Sequence, residues 1–205
     1  MIGMEYIDNK LLYKKLIKIL FFNKINIVIY LLLFFIYINN NAFSENFFSD
    51  NFHEHDKWTF ITDNVMGGVS KGSLNFFKSK DDIIAHMSGE VSTKNNGGFI
   101  QIRRELKNIN LTKLESISFL AKGNNEEYFL HIRTKKTILP WQYYSVKFFV
   151  NDKFSEFILP IANFKKSNFL LPSKVLSKDI KSIAFVAYGK NFTADLFIKS
   201  INFNY

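Results

Sequence analysis

The chain has 205 residues, of which 47% are hydrophobic and 22% charged, a balance that excludes intrinsic disorder and supplies enough apolar mass for a core. It contains no cysteine, which excludes disulfides, thiolate metal sites and a cysteine nucleophile. The net charge is +9, and outside a basic N-terminal segment the excess is modest and scattered, so no nucleic-acid partner is expected.

Lys10, Lys14, Lys15, Lys18 and Lys24 form a basic flank ahead of INIVIYLLLFFIYI, residues 25–38. This run is short for a bilayer span, which needs about 20 apolar residues, and it suits the core of a signal peptide. Ala42 and Ser44 then stand at the −3 and −1 positions of a cut after Ser44. Residues 1–44 therefore read as an export signal, with an uncleaved inner-membrane anchor as the alternative. The expected location is the periplasm or cell envelope, and an uncleaved segment would hold the chain to the membrane through its N-terminus. Removing this segment, which carries five Lys and two acids, leaves 161 residues and a charge of +6.

Residues 45–57, ENFFSDNFHEHDK, read as a linker or an arm packing onto the domain that follows. The HEHD within it lacks the spacing of a metal-binding helix motif, and no metal or cofactor is expected. From Trp58 onward the text breaks into short β-branched and aromatic runs cut by turn residues. Nine strands are predicted: SLNFFK (73–78), IIAHMSGEVS (83–92), FIQIRREL (99–106), SISFLAK (116–122), YFLHIRT (128–134), YYSVKFFV (143–150), SEFILPI (155–161), SIAFVAY (182–188) and DLFIKSINF (195–203). Strands at this spacing imply an all-β antiparallel sandwich or jelly roll over residues 58–205. One helical turn is expected in SKVLSKDIK, residues 173–181, with Ser173 as its cap.

Side chains two apart on a strand share a face. On 99–106, Ile100 and Ile102 face one way with Arg104 as an interruption, while Phe99, Gln101 and Arg103 face the other. On 128–134, Leu130 and Ile132 oppose His131 and Arg133. On 143–150, Tyr144, Val146 and Phe148 oppose Tyr143. If these strands are neighbours, Gln101, Arg103, His131, Arg133 and Tyr143 meet on one outward face. Arginine forks suit carboxylates, phosphates or sugar hydroxyls, and aromatic rings give flat apolar contact. Replacing Arg103 or Arg133 with Ala is expected to spare the fold and weaken binding.

Two glycine pairs punctuate the chain. DNVMGGVSKG, from Asp63, lacks the ending of a phosphate-binding loop, and NNGGF, from Asn95, precedes a strand. Both read as tight connections in which Asn and Gly accept left-handed backbone. No catalytic set emerges, since there is no strained nucleophile turn and the carboxylates Asp63, Glu90 and Glu105 have no diagnostic spacing. The chain is read as a non-enzyme.

The order of these pieces is informative. Trp58 precedes DNVMGGVSKG, then come SGEVSTKNNGGFIQIR (88–103), RTKKTILPWQYY (133–144) and SIAFVAYGKNFTADLFIKSINF (182–203). This order resembles the CIA30 family, the complex I intermediate-associated protein 30 domain. The signature positions are Trp58, Asp63, Asn64, Met66, Gly67, Gly68 and Ser70, then Asn95, Asn96, Gly97, Gly98 and Phe99, with Arg103, Arg133, Trp141 and Tyr143 downstream. The segment 163–167 lacks the Pro and Arg-Gly that the family often carries there. The resemblance implies a galactose-binding-like sandwich and a non-catalytic factor that assembles NADH:ubiquinone oxidoreductase. A protein partner is thus expected, with respiratory-complex subunits as candidates. The alternative is a carbohydrate ligand held by Trp141, Tyr143, Arg103 and Arg133.

Overall fold

A computed structural model describes residues 46–79 and 82–204. The expected export signal or anchor, residues 1–44, lies outside the described residues. Twelve strands follow among those described: β1 (Asn46–Asp50), β2 (Trp58–Thr62), β3 (Lys71–Ser79), β4 (Asp82–Val91), β5 (Phe99–Glu105), β6 (Ser116–Gly123), β7 (Glu127–Thr134), β8 (Tyr144–Phe149), β9 (Ser155–Pro160), β10 (Lys165–Lys166), β11 (Ile180–Tyr188) and β12 (Phe192–Asn204). They form two sheets, one ordered β3-β4-β12-β6-β9 with β1 also on β12, the other β10-β8-β7-β11-β5-β2. Every pairing is antiparallel. The architecture is thus an all-β antiparallel sandwich.

Alternation explains the core. Ile100, Ile102, Tyr128, Leu130, Ile132 and Phe185 of the second sheet are buried, as are Met87, Ile117, Phe119, Leu196, Ile198 and Phe203 of the first. Phe119 meets Phe185 edge-on across the layers, with ring centroids 4.9 Å apart. This is the favoured geometry for rings whose faces are negative and edges positive. On β12 the inward parity changes from Leu196 and Ile198 to Ile201 and Phe203. A bulge between Lys199 and Ile201 absorbs the extra residue, with Ser200 at φ 47.

The three strands that the sequence reading did not name are β1, β2 and β10. β1 lies before the expected domain start at Trp58, inside the segment read as linker or arm, and pairs with the end of β12. Arg104, the charged interruption on the core face of β5, finds its partner here. It pairs with Asp50, which also accepts a 2.9 Å bond from Trp58 Nε1 and a 2.8 Å bond from the Phe52 backbone. A buried charge must be matched in this way or it is prohibitively costly. The helical turn expected over 173–181 shrinks to one 3-10 turn at Ser177–Asp179, with Leu176 rather than Ser173 at its cap position.

Candidate functional site

Strand order in the second sheet brings the site residues together. β11 lies between β5 and β7, so Ala184 has Arg103 on one side and His131 on the other. Val186 likewise faces Gln101, and Ser182 faces Arg133. These side chains point away from the core. With only a methyl at Ala184 in the middle, they floor a cleft of about 770 Å³. Val65, Met66, Asn96 and Gly97 wall one side, and Pro140, Trp141, Tyr143 and Ser167 wall the other. Gln101 and His131 are buried although they lie on an outer sheet face, because these walls rise above them.

The floor is polar and largely unspent. Gln101, Arg103 and His131 make no side-chain hydrogen bond to another of the described residues, and no acid lines the cleft. Burial weakens the hold of Arg103 on its proton, and the neighbouring charge of Arg133 adds to this. Burial, and then the Arg103 charge, push the His131 pKa down to about 3, so its imidazole is neutral at physiological pH. Tyr143 stacks on that imidazole at 3.9 Å, with the planes 10° apart. Burial pushes the Tyr143 pKa up to about 12, with Tyr188 beside it adding to the effect. Donors, a neutral imidazole, an amide and flat aromatic faces thus converge on one space.

The walls are built by local chemistry. Arg133 reaches sideways to donate to the carbonyls of Thr137 and Leu139, both at 3.0 Å. Gln142 Oε1 accepts from the backbone of Ile138 and Leu139, at 2.9 and 3.1 Å. The loop that displays Trp141 is therefore braced by side-chain bonds, and Arg133 is part of its frame as well as part of the cleft. Trp141 itself is exposed.

The opposite wall rests on Asp63, which is fully buried. Its carboxylate accepts from Ser70 N at 2.9 Å, Ser70 Oγ at 2.5 Å and Gly98 N at 2.6 Å. Burial alone would raise its pKa; the hydrogen bonds from Ser70, Gly98 and Phe99 outweigh that and hold it below the ordinary aspartate value. Thr62 Oγ1 accepts from Asn64 N at 3.2 Å and starts the turn, while Gly67 closes it in the left-handed region at φ 86. Asn95 and Asn96 are also left-handed, and the Asn95 amide reaches the Gly67 carbonyl at 3.4 Å. Trp58 sits apart from the cleft, in the core beside Asp50.

The sequence reading placed Gln101, Arg103, His131, Arg133 and Tyr143 on one face, and they share the cleft. It did not include Ser182, Ala184, Val186 and Tyr188 of β11, which run through the middle. The same alternation rule finds them, because they oppose the buried Ile183, Phe185 and Ala187. Among the described residues no group of three or more His, Asp or Glu side chains is arranged to hold a metal ion.

Residues 46–196 match the model of the family described as Complex I intermediate-associated protein 30 (CIA30). No curated protein matches the sequence. Among solved structures, the chain is similar to the family 11 carbohydrate-binding module from Clostridium thermocellum in complex with a beta-1,3-1,4-mixed-linked tetrasaccharide, at TM-score 0.62 and 18% identity over 76% of this chain and 92% of that one. The family 11 module of a cellulosomal cellulase of Clostridium thermocellum matches at TM-score 0.62 and 16% identity over the same shares. At such identities the likeness is one of fold.

Proposed function

The chain belongs to the CIA30 family, and on that premise we propose that it is a non-enzymatic binding module that helps to assemble a membrane-associated complex, holding its client in the cleft of the second sheet. The observation that carries this reading is Arg103. A guanidinium half-buried on a cleft floor, without an ion pair or hydrogen bond from the described residues, is a cost to the free protein. A client that supplies acceptors relieves it. The family name connects such domains to complex I, so respiratory-complex subunits are the first clients to test. With residues 1–44 as an export signal, the module works in the periplasm or envelope and meets the outer face of its client.

A second reading is a module for envelope glycans. It is favoured by Trp141, Tyr143 and Tyr188 beside a floor of amide, imidazole and guanidinium. Sugar rings offer apolar faces and many hydroxyls, which this combination matches.

Cross-linking and co-purification of the full-length protein from its host membranes, with and without Arg103→Ala, test the first reading. Complex subunits should be recovered with the natural protein and lost with the variant. Calorimetric titration of both proteins with envelope glycans tests the second. Glycan binding that disappears with Arg103→Ala, with no subunit recovered, would replace the first reading by the second. Partners held equally well by the variant would end the role of the cleft.

A further inference from the structure

Loops 135–142 and 167–178 run side by side at the β10 edge of the second sheet. Ser167 N donates to Tyr143 O at 2.9 Å, and Ser167 Oγ donates to Trp141 O at 3.0 Å. Tyr144 OH donates to Pro172 O, and Lys135 N to Asp179 O. From this double loop the two most exposed large apolar side chains among the described residues project, Ile138 at 83% and Phe169 at 82%. Leu170, at 65%, stands beside Phe169.

The apolar tips are held out by specific bonds. Lys166 Nζ donates to the carbonyls of Phe169 and Leu171, and Asn168 Oδ1 accepts from Leu170 N at 2.9 Å. Lys135, Lys136, Lys165, Lys166, Lys174 and Lys178 lie on these two loops and on the adjoining β10, all exposed. Over 135–142 and 162–179 the one acid is Asp179, already paired with Lys135 at 3.8 Å. A monomer surface rarely displays grouped apolar side chains without a use for them. Apolar tips on loops that carry six lysines and one acid match the chemistry of an anionic bilayer. Aromatic and aliphatic groups enter the headgroup–acyl boundary, while lysine stems lie along it with their ammonium groups on lipid phosphates.

We propose that this double loop docks onto an anionic lipid surface, with Ile138, Phe169 and Leu170 as the inserting residues and these lysines as the charge complement. These three residues do not line the cleft, so the proposal stands independently of what the cleft holds. Trp141 belongs to both places, which puts the mouth of the cleft beside the bilayer once the loops are seated.

The chain has two tryptophans. Trp58 is 5% exposed in the core and Trp141 is 56% exposed on the first of the two loops, so a change in fluorescence on docking reads Trp141. The full-length chain is reconstituted into vesicles of phosphatidylcholine alone and into vesicles with a third of the lipid replaced by phosphatidylglycerol. The N-terminal segment carries no tryptophan, so whatever it does in either kind of vesicle leaves the reading of Trp141 unaffected. In anionic vesicles Trp141 emission should move to shorter wavelength and be quenched by brominated acyl chains, and added salt should reduce both effects. Trp141→Phe should remove the signal. Phe169→Ser with Leu170→Ser, or Lys136→Glu with Lys174→Glu, should abolish the shift while leaving the melting temperature and the emission in buffer unchanged. Emission in anionic vesicles equal to that in buffer, or an equal shift in phosphatidylcholine, would overturn the proposal. So would loop variants that lose a protein partner while keeping the lipid-dependent emission.

Discussion

The backbone N–H of Gly98 donates to Oδ2 of Asp63 at 2.6 Å, across 35 residues of chain. That bond makes one wall out of two loops, and it explains why each loop carries a pair of glycines. Gly67 and Gly98 supply left-handed backbone, at φ 86 and 130. Gly68 and Gly97 supply space instead, since a Cβ on either would overlap the Asp63 carboxyl group. One glycine of each pair is there for its torsion angles and the other for its missing side chain.

Asp63→Asn should therefore destabilise the protein by about 3 kcal/mol, because an amide presents N–H groups to backbone donors that need an acceptor. Urea denaturation measures this. The pKa of the carboxyl is depressed on folding, so its contribution is full above the ordinary value of 3.8 and is lost as pH falls through the folded value. The variant should lack that acid limb of the stability curve.

Gly68→Ala and Gly97→Ala should each cost about 1–3 kcal/mol by overpacking against Asp63. Gly67→Asn should cost only a few tenths, since nothing lies within 4 Å of a Cβ there and Asn accepts left-handed backbone. Thermal melts of the three variants check the ordering. Paired glycines serve either positive φ or the close approach of another group; at Gly97, with φ −80, it is the approach of Asp63 and not a left-handed torsion.

The two arginines of the cleft should also separate. Arg103→Ala removes an unpaired charge, so its melting temperature should match or exceed that of the natural protein while client binding is lost. Arg133→Ala removes the bonds to Thr137 and Leu139 and should cost about 1–2 kcal/mol as the Trp141 loop loosens. Melting curves and amide exchange of residues 135–142 distinguish the two effects.

His131 gives the cleft a pH signature. Its folded pKa lies near 3 against an ordinary 6.5, so the unfolded chain takes up a proton that the folded one refuses. Stability should fall by about 1.4 kcal/mol for each pH unit between about pH 6 and the folded pKa near 3. His131→Phe, which keeps a ring under Tyr143, should flatten the curve between about pH 6 and 4.5, where Asp63 remains ionised in both states. Denaturant midpoints across that range are the measurement.

Much of this was legible from alternation. The nine predicted strands are present within a few residues of their expected bounds, and the facing of Ile100 against Gln101 or Ile132 against His131 followed from parity alone. Cross-strand partnership was not legible. NFFSD at 46–50 has no apolar alternation; it joins the first sheet by pairing with the end of β12, and Asp50 ties it to Arg104 and Trp58 of the second sheet, 54 and 8 residues away. Strand order was hidden for the same reason, so the reading could gather Arg103 and His131 on a face without knowing that Ala184 separates them. The bond from Gly98 to Asp63 likewise depends on folding, and each loop read alone looks like an ordinary turn.

The most direct test of the account is a photo-reactive side chain at Tyr188, on the rim of the cleft, compared with one at Phe77, which is equally exposed on the other sheet. Illumination of the full-length protein in its host membranes should give a discrete adduct from position 188 that disappears with Arg103→Ala, and none from position 77. An adduct from position 77 with none from position 188 would contradict the cleft as the place where this protein meets its client.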